Sequence, residues 1–389
     1  MEDYIEQDEY RSQIASLNNE IRYLREKIRQ KEHIDKFNAF DNPTEYKGFS
    51  GNYAKIQPLI EHEGYEIPLE PKYEERRSLK RFYSAGGWCI ILQFAVSTGM
   101  AKGLVGLILS ILKFMNPDAN VFVIQDYMKS SSIFVSLNML VYLVCNVLFA
   151  FIGMKWAGIK PRSIISTKNF SFGLAVQYCM TALFLWVVAI YGASGISDIF
   201  EQYGYSTVTD YSNVGKTTLG IVIMNIYTCI IAPITEELFF RGMLLKVFSK
   251  ANQRFAIFAT ALFFGLAHGN IPQFILAFAL GIMLAVITMK HSSIIPAITV
   301  HMFINTFSSM FGYIGNAGET AQQVAIIILL ALAVFGLIMF LVFFGDNHIP
   351  STTPKQATRG IYVAVSSLSL VTAFFIQLIY IVYLIFKKY

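Results

Sequence analysis

Charge is scarce in this chain: 15% of its 389 residues are Asp, Glu, Lys or Arg, against 54% hydrophobic, whereas soluble domains average roughly 25% charged. That imbalance excludes an ordinary water-soluble fold and points to a polytopic membrane protein. Cysteine is scarce too. Cys89, Cys145, Cys179 and Cys229 lie inside apolar segments without Cys-x-x-Cys spacing, which excludes a disulfide framework and a zinc ribbon and leaves them as small packing residues. No His-Glu-x-x-His stretch occurs, so the usual helical zinc-protease signature is missing. No period of internal repeats stands out. The net charge of +5 does not imply nucleic acid as a partner, because the basic residues flank apolar runs, as the bias toward positive cytoplasmic loops requires.

What is abundant is apolar length. Runs fall at about 86–112, 133–154, 170–191, 217–248, 253–268, 271–289, 294–311, 324–344 and 360–386, most of them sized to cross a bilayer. The pair 253–268 and 271–289 is separated only by Gly269, Asn270 and the nearby Pro272, so the first is expected to be a half-helix or one arm of a tight hairpin. The expected fold is all-α: a polytopic transmembrane helical bundle of eight or nine spans with a short amino-terminal cytoplasmic helical region. The divisions are an amino-terminal region over 1–85, transmembrane helices over 86–215, a polar-site core over 216–312, and carboxy-terminal helices over 313–389. No cleavable signal peptide opens the chain, and the run beginning near Gly86 is expected to act as an internal insertion signal.

Charge outside the runs sets the orientation. Arg76, Arg77, Lys80 and Arg81 precede the first run, Lys155, Lys160, Arg162 and Lys168 follow the second, and Lys246, Lys250 and Arg254 follow the fourth. The intervening loops carry Asp118, Asp126, Asp198, Glu201 and Asp210. A multi-pass cell-membrane protein with a cytoplasmic amino terminus fits this alternation. Within the first 85 residues, Ile14, Leu17, Ile21, Leu24 and Ile28 alternate spacings of three and four, the seam of a short coiled coil that would allow a homodimer through 14–28 or a helix lying on the membrane. Lys102, inside the first run, reads as a snorkelling or groove-lining charge.

The run from Thr217 to Phe248 is where ionisable groups intrude on hydrocarbon, as Glu236, Glu237 and Arg241. Each charge there costs at least about 2.5 kcal/mol on insertion scales, so such groups face the bundle interior and mark a functional site. On a helix Glu237 and Arg241 share a face and can pair, while Glu236 points about 100° away and is left free. Phe264 and His268 follow, then His301 and Asn305, each pair one helical turn apart. Drawn from three consecutive hydrophobic stretches, these groups satisfy one another most cheaply by converging on one cavity. There a desolvated glutamate is poised as a general base for water, a histidine shares that water, and the second histidine and the amide can donate to the oxyanion of a tetrahedral intermediate.

In these residues the chain resembles the CAAX prenyl protease and bacteriocin-processing (CPBP, or Abi) family of intramembrane proteases. The family's motifs are Glu-Glu-x-x-x-Arg, Phe-x-x-x-His and His-x-x-x-Asn (or Asp), matched in order by Glu236, Glu237 and Arg241, by Phe264 and His268, and by His301 and Asn305. The resemblance implies that Glu236 and His268 activate water, His301 and Asn305 hold the oxyanion, and Glu237 with Arg241 braces the site. It covers about residues 217 to 311. It implies an endopeptidase acting on a peptide or lipidated-protein substrate in the lipid bilayer: a prenylated protein, a bacteriocin leader or another substrate, which the motifs do not separate. The family is often labelled a metalloprotease, and Glu236, His268 and His301 could ligate zinc. A cofactor-free glutamate mechanism uses the same residues and is preferred, because Asn is a poor zinc ligand. Two other functions remain open at this point: a bacteriocin-immunity or binding protein that keeps the fold without chemistry, and a secondary transporter using a helix broken at Pro233.

Overall fold

The computed structural model describes residues 14, 16–25, 60–61, 64–65, 71–167, 170–207, 214–315, 318–347 and 361–386. Ile28 of the coiled-coil seam, and Lys168 and Asp210 among the charges that set the orientation, lie outside the described residues. Within the seam, residues 16–25 are helical and Ile14, Leu17, Ile21 and Leu24 are all exposed. Ile60–Glu61 and Gly64–Tyr65 form a two-rung antiparallel ladder.

From Pro71 onward the described residues form a helical bundle. Its elements are α1 (Pro71–Met115), α2 (Val121–Ser130), α3 (Ser132–Trp156), α4 (Phe172–Gln202), α5 (Thr218–Ser249), α6 (Gln253–Leu266), α7 (Ile271–His291), α8 (Ile295–Gly315), α9 (Glu319–Asp346) and α10 (Leu368–Phe386). The helices start where short polar side chains can accept from orphan backbone N–H groups: Asn120 caps α2, Ser131 α3, Ser171 α4, Thr217 α5, Asn252 α6 and Asn270 α7. In lipid no water substitutes for a missing cap.

Seven described helices are long and apolar enough to cross a membrane: α3, α4, α5, α7, α9, α10 and the Leu79–Met115 part of α1. The other two apolar runs are helices as well. At 14 residues α6 is short, as the closeness of Gly269 and Pro272 suggested, and α8 has the length but carries His301, Asn305, Ser308 and Ser309. Together α6 and α7 make a tight hairpin. Gly269 turns it at φ +73°, a left-handed conformation that a side chain disfavours, and Asn270 then accepts from the Gln273 N–H to start α7.

Small residues let the helices approach. A Cβ on Gly153 of α3 would overlap the Met243 side chain of α5, and one on Gly87 of α1 would overlap the backbone at Ser369 and Leu370 of α10. Tyr83, Phe248 and Phe255 join α1, α5 and α6 through ring contacts of 5.0–6.1 Å between centroids. Cys89, Cys145 and Cys179 are buried and free, in keeping with packing roles. Lys102 is exposed on the outer face of α1. The polar groups singled out by sequence gather where α5, α6, α7 and α8 meet.

Candidate active site

Pro233 does not break α5, contrary to the half-helix that the transporter reading would need. Proline lacks an N–H and its ring crowds the carbonyl four residues back, which normally kinks a helix. Here the preceding turn, Tyr227–Ile231, is widened to the π form, with the Ala232 N–H donating to the Tyr227 carbonyl five residues back, and the backbone stays helical throughout. A second widened segment, Leu238–Leu245, follows the glutamates. Such bulges concentrate at functional sites because they re-aim side chains without ending the helix.

Between the two widened segments sit Glu236 and Glu237, and their surroundings differ sharply. Glu237 and Arg241 are both 0% exposed and joined by a 2.9 Å bond from Arg241 Nη1 to Glu237 Oε1. The guanidinium also donates through Nη2 to the Gly281 carbonyl at 3.3 Å and lies 4.3 Å from the centre of the Phe264 ring. That backbone carbonyl is reachable because residue 281 has no side chain: a Cβ there would come within 3.0 Å of the Ala261 Cα. Glu236, with a side chain 24% exposed, has His301 Nε2 at 3.8 Å.

Histidine tautomers follow from the partners. His268 Nδ1 is 2.8 Å from the Phe264 carbonyl, which can only accept, so Nδ1 carries the proton and Nε2 of the neutral ring is an acceptor. His301 Nδ1 is 2.9 Å from Glu237 Oε1, so it donates there and the ring is held with Nε2 toward Glu236. The Phe264 ring supports both imidazoles edge-on, at 5.0 Å from His268 and 5.6 Å from His301. Asn305 donates through Nδ2 to the Thr228 carbonyl at 2.9 Å, which leaves its second N–H.

Glu236, His268, His301 and Asn305 all line one cavity of about 480 Å³, walled also by Trp186, Tyr227, Leu276 and Leu280. Glu237 and Arg241 are sealed behind it. The six residues singled out by sequence are thus brought together, in two layers. Sequence reasoning missed the Thr228 and Gly281 carbonyls, which carry no side-chain signal, and the cavity-lining Trp186, Asn225, Ser309 and Tyr313; the last two were detectable as a continuation of the four-residue spacing from His301 and Asn305.

Among the described residues, no three His, Cys, Asp or Glu side chains gather into a metal-ligating group; His268 and His301 are each held through Nδ1.

Comparison with known proteins adds an independent line. Residues 218–307 match the family model described as type II CAAX prenyl endopeptidase Rce1-like. A Bacillus subtilis (strain 168) protein named "Putative membrane peptidase YdiL" is 26% identical over 154 residues, which make up 38% of this chain and 61% of that protein. The chain therefore aligns with about three-fifths of that relative's length. No solved structure matches the chain. The matched segment contains all six site residues, and it is there that the chain is similar to the CAAX prenyl endopeptidase-like family.

Proposed function

We propose that the protein is an intramembrane endopeptidase that hydrolyses a peptide bond with water activated by Glu236. What supports this reading most is one juxtaposition: an uncommitted carboxylate, a histidine with a free acceptor nitrogen, a second histidine and an amide N–H line a single cavity, in front of a buried Glu237–Arg241 pair. Water held between Glu236 and His268 Nε2 attacks the carbonyl carbon, and its proton passes to the Glu236 carboxylate as the C–O bond forms. The oxyanion is met by Asn305 Nδ2–H and His301 Nε2–H. Collapse breaks the C–N bond, and the proton moves from Glu236 to the departing amine.

His301 can fill that role only as an imidazolium, since its Nδ1–H is already directed at Glu237. The charges then balance: two carboxylates face one guanidinium and one imidazolium, so the site carries no net charge. Glu237 is accordingly a positioning residue, which holds His301 while Arg241 holds it. The substrate is a peptide, or a lipidated protein, that reaches the site from the bilayer.

The test is incubation of the purified protein with peptide libraries, prenylated and not, with cut sites read by mass spectrometry. Glu236→Gln should lose cleavage by about 10²–10⁴-fold while expression and thermal unfolding in detergent stay at wild-type values. Cleavage should survive chelators. Full activity in Glu236→Gln would overturn the proposal in favour of a non-catalytic protein of this fold, and abolition by chelator would overturn the metal-free step.

A further inference from the structure

The polar face of α8 does not end at the proposed oxyanion site. His301, Asn305, Ser309 and Tyr313 recur every fourth residue and all four line the cavity. Each meets α5: His301 through Glu237, Asn305 through the Thr228 carbonyl, and Ser309 and Tyr313 through one amide, Asn225. From His301 to Tyr313 the stripe extends about 18 Å along the helix.

The hydrogen-bond directions around Asn225 are fully determined. Its two N–H groups go to the Ile221 carbonyl at 2.8 Å and to the Tyr313 hydroxyl at 2.7 Å. Its oxygen accepts from the Ser309 hydroxyl at 2.7 Å. Tyr313 is therefore an acceptor in that bond and its own O–H is left to donate elsewhere, while Ser309 has committed its proton and can only accept further. The stripe consequently offers the cavity an N–H from Asn305, an acceptor at Ser309 and an O–H from Tyr313. A seam that merely zipped α5 to α8 would bury these groups, yet Tyr313 is 53% exposed and Asn305 is half-buried.

We infer that this stripe is a peptide-backbone subsite: Ser309 and Tyr313, set by Asn225, bind the extended main chain of the substrate beyond the scissile bond, on the side of the membrane where α5 begins and α8 ends. An extended chain rising about 3.3 Å per residue would run about five residues along it. Peptide groups that give up water on entering the cavity need replacement partners, and the stripe supplies donors and an acceptor for them. The inference rests on the peptidase reading for the identity of the ligand as a peptide.

Ser309→Ala and Tyr313→Phe test it in the full-length protein, with cleavage measured in the wild-type background and binding in Glu236→Gln. The probes are peptides of about four and about ten residues, drawn from degenerate pools and truncated from either end. Each substitution should raise KM for the longer peptides about three- to tenfold, the worth of one hydrogen bond, with kcat and the short peptides unchanged. Glu236→Gln should retain long peptides from the pool, identified by mass spectrometry, and lose them when Tyr313→Phe is added. Equal effects on long and short peptides, or none on either, would overturn the subsite while leaving the peptidase reading intact. Length-dependent retention without any cleavage by the wild-type protein would instead remove the peptidase reading and keep the subsite. Neither retention nor cleavage would remove both.

Discussion

The two halves of α5 share an apolar composition and have opposite surroundings. In the amino-terminal half Leu219, Ile221, Val222, Ile226, Ile230 and Ile234 point outward. In the carboxy-terminal half Phe239, Phe240, Met243, Leu244, Leu245, Val247 and Phe248 are all buried. Glu236 closes the first half and Glu237 opens the second. One half is a wall between cavity and lipid, the other a root in the protein core, and the proposed chemistry sits at their junction. In the proposed mechanism two adjacent, chemically identical side chains take separate tasks from their surroundings: a buried carboxylate with a guanidinium on it is fixed, whereas one turned into a cavity can take and return a proton.

The comparison breaks most visibly at the root. Arg241→Ala removes the guanidinium from Glu237 and leaves that carboxylate, at 0% exposure, with His301 as its remaining partner; removing one member of a buried pair typically costs about 3–5 kcal/mol. Folded yield and thermal stability in detergent should fall accordingly, which Glu236→Gln should not reproduce. Equal destabilisation by both would mean that the halves do not divide structure from chemistry.

Much of this division could be read from the sequence. Four-residue spacing predicted the Glu237–Arg241 pair, the 100° offset predicted a free Glu236, and the need of polar groups for one another in lipid predicted that His268, His301 and Asn305 would converge. What could not be read lay across helices. The bond from His301 to Glu237, which fixes one nitrogen and so dictates the charge state the oxyanion role requires, depends on how α8 is rotated against α5. The Gly281 carbonyl as a partner for Arg241 is a property of backbone approach between α6 and α7. Pro233 suggested a break, but hydropathy carries no information about a widened turn that absorbs it.

On the cavity side the next effect is catalytic. Asn305→Ala should lower kcat by about 10²-fold, the usual loss for one oxyanion donor, with stability nearly unchanged, because the Thr228 carbonyl it releases borders a cavity that can admit water. A loss of stability in place of rate would reassign Asn305 to the brace. Gly281→Val should follow at about 1–3 kcal/mol of destabilisation, the cost of overpacking, since its side chain would meet the Ala261 backbone and the Arg241 guanidinium; a partial loss of cleavage should accompany it as the brace shifts.

The smallest expected effect is the most direct measure of the wall. Ile234 is 42% exposed on the outer face and Leu244 is 0% exposed, both within α5 and both aliphatic. Truncating Leu244 to Ala opens a cavity in packed protein and should cost about 2–5 kcal/mol. Truncating Ile234 exchanges side chain for acyl chain, and lipid fills the space it leaves, so Ile234→Ala should change stability in lipid by less than about 0.5 kcal/mol. The lipid term makes the contrast specific: in water the exposed methyls would carry a hydrophobic penalty, whereas in a bilayer they are already in their preferred solvent. A large loss from Ile234→Ala, read as a drop in thermal unfolding temperature in nanodiscs, would place a protein surface rather than acyl chains against this half of α5.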